Sequence, residues 1–434
     1  MNLIERDKQI IWHPFTQEQT ADLPIFIKKA SGSYVYDDKN NAYLDLISSW
    51  WVNLHGHANP TIAEAIYNQA LTLEHVIFAG FTHAPAVHLC ELILKELPNN
   101  LTKCFFSDNG STSVEVALKM AYQYWWNKNQ KERNVFLSFN GGYHGDTFGA
   151  MSVGSDSGFH DPFKKLLFNV LHIPFPATFD NDQDVVKKET AAIEVLEGYL
   201  KNYKNQIAAI ILEPLVQGAS GMRMCRAEFI EQVITIVRSY KILVIFDEVM
   251  TGFGRTCSYF ALNQINLTPD LVCLSKGITG GFLPLALTIT TEKIYQAFLS
   301  DNFATAFAHG HSYTANPLAC AAGIASFKLL KLSATKQSIN AINQAHFKGI
   351  NYLKHNCSNI KNTRILGTIA AFEVTQVTEK NSFNLNKVLK LKFLEQGLLL
   401  RPLNNTIYLL PPYSITTEEL LGAYNKISEV LNCL

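Results

Sequence analysis

The feature that most constrains the fold of this chain is a series of short, almost wholly apolar runs in its middle. They read "KCFFS" (103–107), "NVFLSF" (134–139), "IAAIILEP" (207–214), "ILVIFDEV" (242–249) and "LVCLSK" (271–276). Helical patterns such as "TSVEVALKMAYQYWW" and "EFIEQVITIVRSY" lie between them. Continuous apolar strands that alternate with helices are typical of a parallel sheet covered on both faces. The sequence therefore predicts an α/β fold around a mostly parallel sheet.

The domain organisation is predicted from the length of the chain and from a change in its amino-acid composition. A chain of 434 residues is too long for one ordinary domain. From about residue 325 Lys and Asn become common, helices predominate, and "GTIAAFEV" (367–374) predicts a strand of a separate small domain. We expect an N-terminal segment over 1–57, a large domain over 58–325 and a small domain over 326–434.

Charge and cysteine content exclude several classes of protein. Lys+Arg and Asp+Glu are both 37, and no basic run is present, which argues against a nucleic-acid partner. The eight cysteines form no C-x-x-C pair, so we predict no metal site. The start "MNLIERDKQI" lacks the apolar core of a signal peptide, and every apolar run is too short to span a membrane. We expect a cytoplasmic protein without a membrane partner.

The segment "SDNGSTSVEVALKM" places Gly110 and Ser111 between a strand and a helix. Free backbone N–H groups at a helix start, together with hydroxyls, suit a phosphate. The alternative is an ordinary Ser/Thr cap with a glycine turn.

Two further strands end in ionisable residues. Asp247 follows a very apolar strand, where a carboxylate needs a partner such as the cationic ring nitrogen of a cofactor; a structural ion pair with Arg255 is the alternative. Lys276 ends the next strand, and a lysine in a dry site can lose its proton and attack carbonyl groups. A surface lysine is the alternative reading here.

A phosphate cradle, a carboxylate for a pyridinium ring and a Schiff-base lysine together are what pyridoxal 5′-phosphate (PLP) requires. The segment "NGGYHGDT" (140–147) adds Tyr143, which could stack on a cofactor ring, and His144. A core or turn role for either residue is an equally open interpretation.

With these residues in view, "IFDEVMTGFGRT", "LSKGITGG" and "HGHSYTANPLACAA" resemble the class III PLP-dependent aminotransferases of fold type I over nearly the whole chain. The resemblance implies a homodimer. It also implies a large domain with a mostly parallel seven-stranded sheet covered by helices, and a smaller α+β domain formed by the C-terminus and the N-terminal segment. That N-terminal segment would pack with the small domain and the substrate channel.

Within that family, "IWHPFTQ", "SSWWVNLHGH", "FTHAPAVHLCELI", "GGYHGDTFGAMSV" and "LLRPLNNTIYLLPPY" resemble one branch. Its members transaminate 8-amino-7-oxononanoate to 7,8-diaminononanoate in biotin biosynthesis. S-adenosylmethionine is the amino donor that the resemblance implies, and lysine is the alternative donor.

The resemblance also implies roles for the residues at the strand ends. Lys276 would bind the cofactor covalently, and Asp247 would hold the pyridine nitrogen protonated. Gly110 and Ser111 would bind the phosphate, and Tyr143 would stack on the ring and take part in catalysis.

Other implied roles concern the neighbouring subunit and the substrate. The loop "HGHSYT" would cross between subunits, so that His311 and Ser312 complete the partner's phosphate site. Besides Tyr143 and Lys276, the implied substrate-binding residues are Phe15, Trp50, Trp51, Gly310 and Arg401, of which Arg401 would pair with a substrate carboxylate. Relatives commonly have Tyr where this chain has Phe15. Phe15 retains the aromatic ring but lacks the hydroxyl group. Glu213, Asp146 and Arg255 are second-line candidates, with structural roles as their alternative.

Three other functions remain open on the sequence. A class III ω-amino acid transaminase would share every cofactor residue, and only the channel residues would differ. A related PLP isomerase would need no second substrate. A non-catalytic PLP-binding regulator would carry a DNA-binding module, of which the sequence shows no sign.

Overall fold

The computed structural model describes residues 2–154, 160–375 and 382–433. The strands are β1 Ile27–Ser31, β2 Tyr34–Asp37, β3 Ala42–Asp45, β4 Leu101–Ser107, β5 Val135–Phe139, β6 Val170–Ile173, β7 Ile207–Leu212, β8 Val216–Gln217, β9 Arg223–Met224, β10 Leu243–Asp247, β11 Leu271–Leu274, β12 Ala286–Thr291, β13 Ile360–Leu366, β14 Ile369–Val374, β15 Leu398–Leu399 and β16 Thr406–Leu409.

The helices are Leu3–Ile10, Pro60–Ala70, Ala84–Leu94, Gly110–Asn127, Phe148–Val153, Val185–Tyr203, Ala227–Ser239, Glu292–Gln296, Pro317–Lys331, Ser333–Asn356, Ser382–Glu395 and Thr417–Asn432. Short 3-10 helices occupy Asp161–Leu166, Ala261–Gln264, Lys276–Thr279 and Phe303–Thr305. A single helical turn spans Ser48–Trp51. Within the described ranges no single helix is both long and apolar enough to cross a membrane. The bent pair Pro317–Lys331 and Ser333–Asn356 is long and apolar enough when its two helices are taken together, by length and composition only.

The centre of the molecule is a seven-stranded sheet in the order β4-β12-β11-β10-β7-β5-β6. The pairs β11–β10, β10–β7, β7–β5 and β5–β6 are parallel. Every residue of β7, β10 and β11 is buried, because helices cover both faces of the sheet. The mostly parallel seven-stranded sheet is confirmed, and all five predicted apolar runs form its strands.

Two strands of this sheet, β6 at its edge and β12, were not predicted from the sequence. β12 lies antiparallel between β4 and β11, and its sequence "ALTITT" alternates threonines with apolar residues. Its threonines are nevertheless buried, and Thr288 Oγ1 donates to the carbonyl of Ser113 at 2.8 Å. A buried hydroxyl that makes such a hydrogen bond is tolerated in a core strand. The alternation of threonines with apolar residues does not indicate that both faces of this strand are buried.

Besides the central sheet, the structure contains the antiparallel pair β8–β9 and two larger sheets. β1, β2, β3 and β15 form one, in which β3 and β15 pair in parallel although the chain between them includes the whole central sheet. The antiparallel sheet β13-β14-β16 forms the other, and β14 is the strand predicted in "GTIAAFEV". The proposed boundaries 1–57, 58–325 and 326–434 stay a prediction, which the β3–β15 pairing supports.

Directly after β3 the backbone makes a left-handed turn. Ser48, Ser49, Trp50 and Trp51 have φ values of 50°, 43°, 72° and 74°. Each residue with a side chain costs about 1–2 kcal/mol in this conformation, so the surrounding structure must hold the turn in place.

Candidate active site

The carboxyl ends of the parallel strands open into a cavity of about 670 Å³. This is the edge where ligands bind in open α/β sheets. The cavity is lined by residues that follow β4, β5, β7, β10 and β11, among them Gly110, Ser111, Tyr143, His144, Asp146, Glu213, Asp247 and Lys276. The structure therefore brings together every predicted cofactor residue of the strand ends.

Lys276 follows β11 and adopts a left-handed backbone conformation with φ of 44°. Burial lowers the pKa of its ammonium group, although the negative charges of Asp247 and Glu213 oppose the shift. Its Nζ lies 4.9 Å from the centre of the Trp51 ring. Among the described residues no carboxylate lies within 4.0 Å of Nζ in an ion pair. The burial of this lysine therefore favours its neutral amine form.

Asp247 is buried at the end of β10, and His144 lies against it. His144 Nδ1 is 2.7 Å from Asp247 Oδ2, and the backbone N–H of Val249 donates to Oδ1 at 3.1 Å. Burial lowers the pKa of His144, but the hydrogen bond to Asp247 and the nearby negative charges raise it more, so that its pKa is raised overall. The sequence indicates His144 as a candidate residue but not its contact with Asp247, because the two residues are 103 positions apart in the chain.

Glu213 follows β7 and also lines the cavity. Its carboxyl group accepts hydrogen bonds from the backbone N–H groups of Gly218 at 3.0 Å and Tyr143 at 3.1 Å. Burial raises the pKa of Glu213 to about 7. Glu248, one residue after Asp247, does not line the cavity and accepts from the first two backbone N–H groups of the 3-10 helix Ala261–Gln264.

The predicted phosphate cradle is a close approach of two chain segments. The backbone N–H of Asp146 donates to Ser111 Oγ at 3.2 Å. A Cβ at Gly145 would lie 2.1 Å from Ser111 Oγ, and one at Gly110 would lie 2.8 Å from Val249 Cγ1. Gly110 and Ser111 begin the helix Gly110–Asn127 and line the cavity, so the first turn of this helix faces it.

Tyr143 is held at the cavity wall by its phenol group. Its hydroxyl donates to Asp146 Oδ2 at 2.9 Å. Burial, together with the negative charge of Asp146, raises the pKa of Tyr143, so the phenol stays protonated. The hydrogen bond fixes the orientation that stacking on a ligand ring would need.

The predicted substrate residues fall into an inner and an outer group. Trp51 lines the cavity, and its indole N–H donates to the Tyr408 hydroxyl at 3.0 Å. Trp50 lies outside it, 40% exposed, with the Arg401 guanidinium 4.2 Å from its ring centre and the Phe15 ring 5.6 Å away. Burial lowers the pKa of Arg401.

The loop residues Gly310, His311 and Ser312 do not line the cavity of their own chain. Gly310 and Ser312 are exposed, and the loop is closed by a hydrogen bond from the backbone N–H of His311 to Thr314 Oγ1 at 3.2 Å. The structure therefore separates these residues from the rest of the predicted cofactor site.

Arg255 is fully buried and is not paired with a carboxylate within the described ranges. Its guanidinium donates to the backbone carbonyls of Pro411 at 3.0 Å, Trp51 at 3.2 Å and Asn53 at 3.0 Å. The alternative in which Arg255 pairs with Asp247 is therefore wrong, because the carbonyls occupy the guanidinium and His144 occupies the carboxylate.

Comparison with known proteins identifies the class to which this fold and site belong. The family described as "Aminotransferase class-III" matches residues 15–431. The chain therefore belongs to the class III aminotransferase family.

Individual relatives narrow the comparison. A Synechococcus elongatus protein named adenosylmethionine-8-amino-7-oxononanoate aminotransferase is 49% identical over 97% of this chain and 98% of that protein. The crystal structure of the enzyme of the same name from Methanocaldococcus jannaschii has a TM-score of 0.91 and 34% identity, covering 99% of this chain and 98% of that one. A PLP-bound amine transaminase from an uncultivated Pseudomonas species has a TM-score of 0.90 and 27% identity, covering 98% of each chain.

The cofactor of this family is pyridoxal 5′-phosphate, and the residues present fit it. The cavity holds a buried lysine without an acidic partner and a buried carboxylate whose hydrogen-bonded histidine has a further ring nitrogen, Nε2, with no partner among the described atoms. It also holds the start of helix Gly110–Asn127, whose first residues Gly110 and Ser111 line the cavity. These groups match the aldehyde, the ring nitrogen and the phosphate of PLP.

Proposed function

We propose that this protein transfers an amino group to 8-amino-7-oxononanoate, giving 7,8-diaminononanoate in biotin biosynthesis, with S-adenosylmethionine as the amino donor. The observation that carries the proposal is the 49% identity, over nearly the whole length of both chains, to the Synechococcus elongatus enzyme of that name. The net reaction exchanges an amine and a ketone between two molecules, so that no outside oxidant or reductant is needed.

PLP, when bound, supplies an aldehyde that condenses with amines and a ring that withdraws electrons from the bound substrate. Lys276 would hold the cofactor and then act as the base and acid that moves a proton at the substrate carbon, which its lowered pKa favours. Asp247 would keep the ring nitrogen protonated, and His144 fixes the orientation of that carboxylate. Gly110 and Ser111 would hold the phosphate, and Tyr143 would cover the ring.

The outer group suits the acceptor substrate. Arg401 has only an aromatic partner among the contacts of the described chain, and its guanidinium is available to a carboxylate such as that of 8-amino-7-oxononanoate. Phe15, Trp50 and Trp51 provide apolar walls for an aliphatic chain, and their rings also attract a sulfonium cation.

The assembly proposed is a homodimer with shared sites. His311 and Ser312 lie outside their own cavity, which supports a role in the phosphate site of the partner. We also propose a cytoplasmic location, which the eight free thiols support.

The decisive experiment tests the two half-reactions separately. The PLP-loaded enzyme is mixed with S-adenosylmethionine or with lysine, and the absorbance of the bound PLP is followed. We expect S-adenosylmethionine to remove that absorbance and 8-amino-7-oxononanoate to restore it. Conversion by lysine alone would reassign the donor, and conversion by neither would refute the proposed reaction.

Lys276→Ala is the matched test of mechanism. We expect at least about a 10³-fold loss of turnover, because the base and its covalent link are removed, while phosphate contacts retain some PLP. Lys103→Ala, which removes a lysine that pairs with Glu292 at the molecular surface, serves as the control. Wild-type turnover in Lys276→Ala would contradict the mechanism.

A further inference from the structure

The turn at residues 48–51 is the part of the substrate wall that most needs support. All four residues are in the left-handed region, including two tryptophans. Such a backbone persists only where neighbouring groups over-determine it. The groups that hold the turn are therefore candidates for residues that control the substrate site.

The central support is the carboxylate of Asp45, which is completely buried. Its Oδ1 accepts from the backbone N–H of Ile47 at 3.1 Å, and its Oδ2 accepts from the Ser49 hydroxyl at 2.8 Å. His57 Nε2 lies 2.9 Å from the same Oδ2. The Asp45 side chain thus holds Ile47, which precedes the turn, and Ser49, the second residue of the turn. Asp45 is in turn held by His57, which follows the turn.

The turn sends its two tryptophans in different directions. Trp50 stacks against Arg401 with 4.2 Å between the guanidinium and the ring centre. Trp51 faces Lys276, whose Nζ is 4.9 Å from its ring centre. Both contacts are made from left-handed backbone, with φ of 72° at Trp50 and 74° at Trp51.

We infer that Asp45 is a positioning residue for the acceptor substrate, which acts by holding the left-handed turn that places Trp50 beside Arg401. The inference rests on the proposed function, in which Arg401 and Trp50 form the substrate wall. Asp45 does not line the cavity and has no contact with Lys276, so its effect is transmitted through the turn.

The main test is Asp45→Asn. In this variant an NH2 group takes the place of the oxygen that accepts from Ser49, and the negative charge beside His57 is lost. We expect KM for 8-amino-7-oxononanoate to rise about fivefold or more, with kcat within about twofold and PLP content unchanged. We also expect faster amide hydrogen exchange over residues 48–53, where Trp51, Val52 and Asn53 donate within the turn.

Asp37→Asn is the matched control. Asp37 is a buried aspartate of the same sheet, and it accepts from the backbone of Lys39 and from Asn41 without touching the turn. We expect this variant to lose stability while KM and the exchange of residues 48–53 stay as in the wild type. An equal rise of KM in both variants would overturn the inference, because it would then reflect stability alone.

Ser49→Ala keeps the inference falsifiable if Asp45→Asn does not fold. The Ser49 side chain is exposed at the surface, and the change removes one hydrogen bond to Asp45. Unchanged exchange over residues 48–53 in Ser49→Ala would overturn the inference. The exchange measurement needs no substrate, so it stays informative even if the wild-type enzyme does not turn over 8-amino-7-oxononanoate.

Discussion

At the scale of single residues, Gly145 shows how closely two segments approach at the phosphate cradle. Its φ is 125°, and a Cβ there would lie 2.1 Å from Ser111 Oγ. Gly80 offers a comparison, because its φ of 85° is also positive but a Cβ there would meet nothing within 4 Å. The two glycines separate the effect of backbone conformation from the effect of the collision.

We predict that Gly145→Ala lowers PLP affinity at least about tenfold, because Ser111 must move away from the phosphate position. Gly80→Ala should cost about 1 kcal/mol of stability from its backbone conformation and leave PLP affinity unchanged. Fluorescence titration of the apoenzymes with PLP measures both affinities. Equal losses of affinity in the two variants would contradict a role for Ser111 in the cradle.

Residues at strand ends could be predicted from the sequence, whereas their partners could not. Asp247 and Lys276 are visible because an ionisable residue ends a wholly apolar run. The bond from His144 to Asp247 joins different strands, and nothing local in "GGYHGD" indicates it. The left-handed turn of Ser48–Trp51 is equally hidden, because its sequence contains no glycine or asparagine to indicate positive φ.

At the scale of elements, two helices are joined by a buried histidine. His346, in helix Ser333–Asn356, lies with Nδ1 2.7 Å from the Tyr424 hydroxyl of helix Thr417–Asn432. Its Nε2 is 3.0 Å from the carbonyl of Thr368, so Nε2 carries the proton and donates. Burial lowers the pKa of His346 to about 4, against the hydrogen bond to Thr368, which raises it.

This histidine makes stability depend on pH in a defined window. The unfolded chain binds its proton below pH about 6.5 and the folded chain only below about 4, so stability falls as pH drops from 6.5 to 4. The loss is about 1.4 kcal/mol per pH unit for this residue. His346→Gln, which keeps a donor and an acceptor, should be less stable at pH 7.5 and show a shallower decline in acid.

Thermal denaturation between pH 5 and 7.5 measures this difference. His355→Gln, on an exposed residue of the same helix, is the control and should follow the wild-type curve. His55, whose pKa burial also lowers to about 4, is present in all three proteins and cancels in the comparison. Parallel curves for wild type and His346→Gln would contradict the prediction.

Five strands of the central sheet were predictable because burial on both faces leaves an uninterrupted apolar run. The strands β3 and β15 were not, since they are only four and two residues long. Their pairing depends on residues about 350 positions apart, and such contacts leave no periodic signal in one sequence.

At the scale of the whole molecule, the proposed dimer predicts complementation. Lys276→Ala disables the lysine of one site, and Ser312→Asp would repel the phosphate of the partner's site. In a mixed dimer with shared sites, one site carries both changes and the other carries neither. We expect co-refolded mixtures to recover about a quarter of wild-type activity.

The control is each variant refolded alone, which should remain inactive. Light scattering should give about twice the chain mass of 48.6 kDa for every sample. Failure of the mixed dimers to recover activity would show that residue 312 serves the site of its own chain.

The β3–β15 pairing also bears on how the enzyme is made by the ribosome. The Ser48 hydroxyl donates to the carbonyl of Leu410, 362 positions later, and β3 pairs with Leu398–Leu399. The residues of the cofactor pocket, from Gly110 to Lys276, emerge well before that partner. During synthesis the cofactor residues of the strand ends therefore emerge first, and the turn that carries the proposed tryptophan wall is fixed only by the last part of the chain to be translated.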